Sequence, residues 1–257
     1  MANPVKQETQ HALLVVLGKF GQETGLISGL ESVKLGQKNY DHSPQAKVIE
    51  FQVAILSGVK YLQDISLAAH PLDKDLAVAQ AWGQTGWADY SGVSRTLSQL
   101  SWEEAKALVA VLERVSAPFI QSEIERIQQL GYSVELDGDL TGIPVSNTSR
   151  SYPNAAYGHM DDEIRLGYQA GVTSLRSPTY GRLWLSVEHH AGDTVSCTQA
   201  EALVLAVEKR TGMRPRRRTE LLRERIAALP KERQPTENRM NSQKAALEKA
   251  HTAYHET

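Results

Sequence analysis

The chain has 257 residues, 41% hydrophobic and 23% charged, which excludes disordered, collagen-like and disulfide-stapled classes and suffices for one large or two ordinary domains. A net charge of −2 says nothing about nucleic acid until the charges are located, and a lone cysteine, Cys197, excludes an internal disulfide or a cysteine-built zinc site and fits a reducing, cytoplasmic compartment. The apolar run 12–17 is far too short for a membrane span and lacks a signal-peptide layout.

Residues 10–130 read as helical. Leu13, Val16, Leu17 and Phe20 recur at spacings of three and four, as do Val48, Phe51, Ile55, Val59 and Leu62. Further helices are expected over 73–82, 102–116 and 119–130, with Pro71 and Pro118 as punctuation and Ser101 and Glu104 forming a capping box.

At Gly131 the period changes to two, which places a domain boundary near residue 130. Tyr132, Val134, Leu136 and Leu140 alternate with polar residues and predict a first strand over 132–140. A second strand is expected over 163–175, with Ile164, Leu166, Tyr168, Ala170 and Val172 on its inner face, and a third over 182–190, with Leu183, Leu185 and Val187 inward. The segment 177–181 joins these two as an antiparallel hairpin, and the first strand is expected at the centre of the sheet. A helix follows over 197–210, capped by Ser196 with Gln199, striped by Ala200, Leu203, Val204 and Val207, and ended by Gly212. The fold class is therefore α+β: a helical region over 1–130, three antiparallel strands and a helix over 131–213, and a charged helical tail over 214–257. Between Lys209 and Arg233 ten basic residues face three acidic ones, a local balance of +7, and a helix is expected over 243–254.

The segment Leu136-Asp-Gly-Asp-Leu-Thr-Gly142 carries the clearest chemistry. Asp137 and Asp139 are two residues apart on one strand, so both point to the same face, where a divalent cation such as magnesium would relieve their repulsion. A plain turn made by Asp139, Thr141 and Gly142 accounts for the same residues. Alternation alone does not choose between the two aspartates.

The stretch Leu136-Asp-Gly-Asp-Leu-Thr-Gly-Ile-Pro-Val145, then Tyr157-Gly-His-Met, Arg165-Leu-Gly-Tyr168, Arg182-Leu-Trp-Leu185 and Gly192-Asp193, resembles bacterial insertion-sequence transposases with an Asp-Asp-Glu catalytic domain. Upstream, Asp73-Lys-Asp-Leu-Ala-Val-Ala-Gln-Ala-Trp-Gly83 and Ser91-Gly-Val-Ser-Arg-Thr-Leu97 look like the N-terminal part of the same family. The resemblance implies a ribonuclease H-like core, whose first carboxylate sits in the pattern Asp, any residue, Thr. It thus assigns catalysis to Asp139, with Thr141 completing the pattern and Asp137 as a second metal-side neighbour. It also implies Mg2+ or Mn2+ as cofactor, DNA at transposon ends as partner, and self-association or pairing with a full-length transposase. The second Asp and the Glu have no candidate here, so the chain reads as the N-terminal portion of a longer enzyme, inactive by itself. The alternative is a non-catalytic DNA-binding remnant or regulator.

Ser91-Gly-Val-Ser-Arg-Thr-Leu97 also resembles the recognition end of a helix-turn-helix, with Ser94 and Arg95 as DNA contacts, although a core stripe of Val93, Leu97 and Leu100 explains it equally well. Arg214, Arg216, Arg217 and Arg218 form a phosphate-binding candidate or a solvated charge run. His189 and His190 lack the spacing of a zinc site, and Trp82, Trp87, Trp102 and Trp184 are expected to pack in cores.

Overall fold

The computed structural model describes residues 8–147 and 152–213; the cluster Arg214, Arg216, Arg217 and Arg218 and the helix expected over 243–254 lie outside them. Two compact units meet in sequence between Glu123 and Ile124. Among the described residues no helix is long and apolar enough to cross a membrane.

The first unit is helical. It comprises α1 (Ala12–Glu23), α2 (Leu26–Glu31), α3 (Pro44–Leu56), α4 (Asp64–Leu67), a 3-10 turn (Leu72–Lys74), α5 (Leu76–Ala81), α6 (Tyr90–Ser98) and the first part of α7 (Trp102–Gln129). Its core gathers Leu14, Ile27, Leu30, Ile49, Val53, Ile65, Val78, Trp82, Val93 and Val111. The inward face of α1 differs from the expected stripe: Leu14, Gly18 and Gly21 are buried, while Leu13, Val16 and Phe20 are at least half exposed. Close packing of α1 on α5 is the reason. A Cβ on Gly18 would meet the Ala81 carbonyl and the Trp82 ring at 2.7 Å, so only glycine permits the approach. The Trp82 indole Nε1 then donates to the Leu14 carbonyl at 2.9 Å.

Two expected boundaries shift. The single helix over 73–82 is split at Asp75, which leaves helical geometry and accepts from the Val78 amide at 3.0 Å as the N-cap of α5. Conversely, Pro118 interrupts nothing, since α7 runs through it for 28 residues. The capping box holds: the Glu104 carboxylate accepts from the Ser101 amide at 2.7 Å, and the Glu104 amide donates to Ser101 Oγ at 3.2 Å.

The second unit carries an antiparallel sheet of β1 (Glu135–Pro144), β2 (Ala156–Met160), β3 (Glu163–Ser177) and β4 (Gly181–Ala191), followed by α8 (Ser196–Thr211). β3 is the central strand. It pairs with β1 over Arg176 to Gly167 and with β4 over Ser177 to Tyr168, whereas β1, expected at the centre, has one partner among the described residues. The first strand also starts later than its alternation suggested, leaving Tyr132 outside it and 60% exposed.

Helix α8 packs on β1, β3 and β4, burying Leu203 and Val207. Its N-cap is Val195 rather than the expected Ser196, and Gly212 ends it in the left-handed region at φ +67°. The face of β3 turned to α8 is the opposite of the expected one, since Gln169, Thr173 and Leu175 are buried and Ile164 is 65% exposed, although Ala170 on the expected face is also buried. In β4 a bulge facing Thr173 and Ser174 inserts Leu185, so Leu183 and Leu185 keep an inward bias while Val187 turns outward at 63% exposure. One extra residue reverses the alternation beyond it. The hairpin 177–181 forms as expected, with Ser177 Oγ accepting from the Thr179 and Tyr180 amides.

Candidate functional site

Asp137, Asp139 and Thr141 share one face of β1, because alternate side chains of a strand point the same way. That face is turned away from α8, since Gly138, between the two aspartates, lies 3.8 Å in Cβ position from Leu203 of the helix. Opposite them on β3 are Ser174, Val172 and Ala170, and Val172 in turn faces Val187 of β4. Arg182 of β4 reaches across to Asp137, with Nη2 3.4 Å from Oδ2, and its guanidinium lies 5.9 Å from the Trp184 ring centroid. Both partners of this ion pair are more than half exposed, so it contributes at most about 1 kcal/mol. Asp139 has no such partner among the described residues. Its Oδ1 accepts from the Leu140 amide at 2.8 Å, leaving Oδ2 open to solvent or a ligand.

The two aspartates therefore differ in a way that the sequence did not reveal: Asp137 is neutralised by Arg182 and Asp139 is not. Among the described residues no group of three or more His, Cys, Asp or Glu side chains is placed to hold a metal ion. A two-metal centre needs more acidic oxygens than this face supplies, so these residues alone do not fit such a centre. His189 and His190 do not add to it. His189 packs against Tyr168 in a tilted contact with ring centroids 4.3 Å apart, and His190 Nε2 sits 3.7 Å from Glu188 Oε2 with no hydrogen bond. Trp184 at 61% and Trp102 at 59% exposure correct the expectation that all four tryptophans pack inside.

Ser94 and Arg95 both lie on the exposed side of α6, while Val93 and Thr96 face the core. The core stripe thus holds at Val93, and Ser94 and Arg95 are left accessible on the opposite face. Its N-cap is Asp89, two residues earlier than Ser91; the Asp89 carboxylate accepts from the Gly92 amide at 2.6 Å and from Ser91 Oγ at 2.8 Å, which holds its carboxyl below the usual range. Arg95 Nη1 donates to Ser91 Oγ at 3.2 Å. The expected first helix of a helix-turn-helix is reduced to α5, six residues long.

Arg95 also opens onto a cleft of about 930 Å³ that sequence reasoning missed. Its walls come from four separate stretches, around Lys38, at Lys47, from Trp87 to Gln99 and at Glu104, and no local spacing links them. The basic tract enters the described residues only at Lys209 and Arg210, and Arg210 Nε donates to the Leu185 carbonyl at 2.9 Å, tying the end of α8 to β4. No family model, no curated protein and no solved structure matches this chain.

Proposed function

We propose that the chain is part of a DNA transposase of the Asp-Asp-Glu type, whose ribonuclease H-like domain opens with β1, β3, β4 and α8. One observation carries the reading: three antiparallel strands in the spatial order β1, β3, β4, then a helix packed on all three, with Asp139 and Thr141 on the far face of the first strand. The pairing of β1 with β3 and of β3 with β4, and that placement of Asp, any residue, Thr, support the reading, while the edge position of β1 and the extra strand β2 depart from it. On this reading Asp139 is the first catalytic carboxylate and Asp137, held by Arg182, is its neighbour. Mg2+ or Mn2+ would be bound only once a second Asp and a Glu join Asp139, and phosphodiester cleavage and strand transfer belong to that larger assembly. Ser94, Arg95 and the cluster Arg214, Arg216, Arg217 and Arg218 engage transposon-end DNA, and a second transposase chain is the protein partner.

The test is binding to a labelled DNA duplex across a range of salt. Affinity falls steeply with salt because phosphate contacts release counterions. Replacing the four arginines by alanine weakens binding to every sequence, and Arg95→Ala reduces discrimination between sequences. Salt-insensitive binding, or binding unchanged by both sets of substitutions, overturns the reading.

A further inference from the structure

The cleft beside α6 lies wholly within the helical unit, and three cations stand in its wall: Lys38, Lys47 and Arg95. None of them has a carboxylate within ion-pair distance among the described residues. The acidic groups nearby are already engaged: Asp89 caps α6, and Glu104 accepts from the Gly36 amide at 2.5 Å and from Ser101. Asp41, exposed at the rim, is the remaining carboxylate. Lys47 runs toward the start of α6, with its Cε 3.8 Å from where a Gly92 side chain would begin.

Two aromatic groups complete the wall. Tyr40 is 76% exposed, with the Lys47 ammonium 5.9 Å from its ring centroid. Trp87 is 6% exposed, and its buried indole N–H has no acceptor among the described residues. That nitrogen is closed to solvent, so the accessible ring of the cleft is that of Tyr40. Three cations free of carboxylate partners and an exposed aromatic ring around a cleft of about 930 Å³ describe a site for a group with an anion at one end and a flat ring at the other.

We infer that this cleft binds a nucleoside phosphate, either a free nucleotide or an unpaired nucleotide of a strand, with the phosphate on Lys47 and Arg95 and the base against Tyr40. The inference shares Arg95 with the DNA reading and does not depend on Asp139 or the sheet.

Titration calorimetry of the full chain with deoxyadenosine monophosphate, inorganic phosphate and a short single-stranded oligonucleotide tests it. The mononucleotide binds at one site and more tightly than inorganic phosphate; competition by the oligonucleotide marks the strand as a source of the ligand, and its failure to compete marks the free nucleotide. Arg95→Gln and Lys47→Gln each lower affinity about tenfold or more, the loss expected for a charge-assisted hydrogen bond. Lys19→Gln, an exposed cation outside the cleft, leaves it unchanged, and circular dichroism of every variant stays native. No mononucleotide binding, equal affinity for inorganic phosphate, or equal losses in Lys19→Gln and Arg95→Gln overturns the inference. Duplex binding without mononucleotide binding sinks the cleft alone; the reverse sinks the transposase reading alone.

Discussion

Glu50 is fully buried on α3, where its Oε2 accepts from the Ala88 amide at 2.9 Å and its Oε1 has no partner. Burial pushes its carboxyl up to about 8, and the neighbouring Asp73 and Asp89 add to the rise. The group is thus protonated in the folded chain at neutral pH and ionised in the unfolded one. A raised folded value means that its contribution to stability is complete below 4.5 and is lost as pH rises through about 8. Denaturant unfolding at a series of pH values is expected to show stability declining across that window. The decline reaches at most roughly 5 kcal/mol, at about 1.4 kcal/mol for each pH unit between the unfolded and folded values. Glu50→Gln, neutral at every pH and still able to accept from Ala88, flattens the decline; an unaltered slope would refute the assignment. The sequence hid this residue, because a glutamate between Ile49 and Phe51 looks like the solvated side of an amphipathic helix. It showed the two aspartates readily, since spacing by two is visible in a string of letters, but the ion pair that separates them comes from β4, 45 positions away. Asp139→Asn in a longer, DNA-cleaving form of the chain is expected to abolish cleavage and spare DNA binding. Asp137→Asn should be milder, and the opposite ranking in a plasmid-nicking assay would exchange their roles.

At the level of elements, the pairing of β1 with β3 and of β3 with β4 was legible, whereas β2, the central place of β3 and the facing of the strands were not. Period-two alternation located β3 and β4 almost to the residue, yet phase is fixed by what covers the sheet and by a bulge that no composition rule announces. Much the same holds for α1, whose apolar stripe was visible but whose contact runs along its glycines. Where β2, β3 and the end of β4 converge, backbone touches backbone: a Cβ on Gly158 would collide with the Gly192 carbonyl, and one on Gly192 with the Ala156 carbonyl. Carbonyls cannot swing aside as a side chain does. Gly158→Ala and Gly192→Ala are therefore each expected to cost about 3 kcal/mol or more, the upper end for overpacking. Gly138→Ala, whose Cβ would meet only ordinary contacts at 3.7 Å or beyond, serves as the tolerated comparison in thermal melts. Equal melting temperatures for all three would show that the strands can part at little cost.

The chain as a whole joins a helical unit to a sheet-and-helix unit. That the helical pattern gives way to alternation was plain in the letters; the cleft was not, because concavity arises only when distant stretches are folded together. If the arginines of the 214–218 segment each neutralise one phosphate, replacing all four lowers the slope of log affinity against log salt by about 3.6, at ~0.9 per contact. A slope that does not move in filter-binding titrations would place the phosphate contacts elsewhere. β3 differs from every other described strand in having a paired neighbour along both edges over nearly its whole length, so few of its amide hydrogens face open water. Transferred into heavy water, the chain should keep protons longest on β3 between Tyr168 and Arg176, and mass spectrometry of peptic fragments would find deuterium arriving there last.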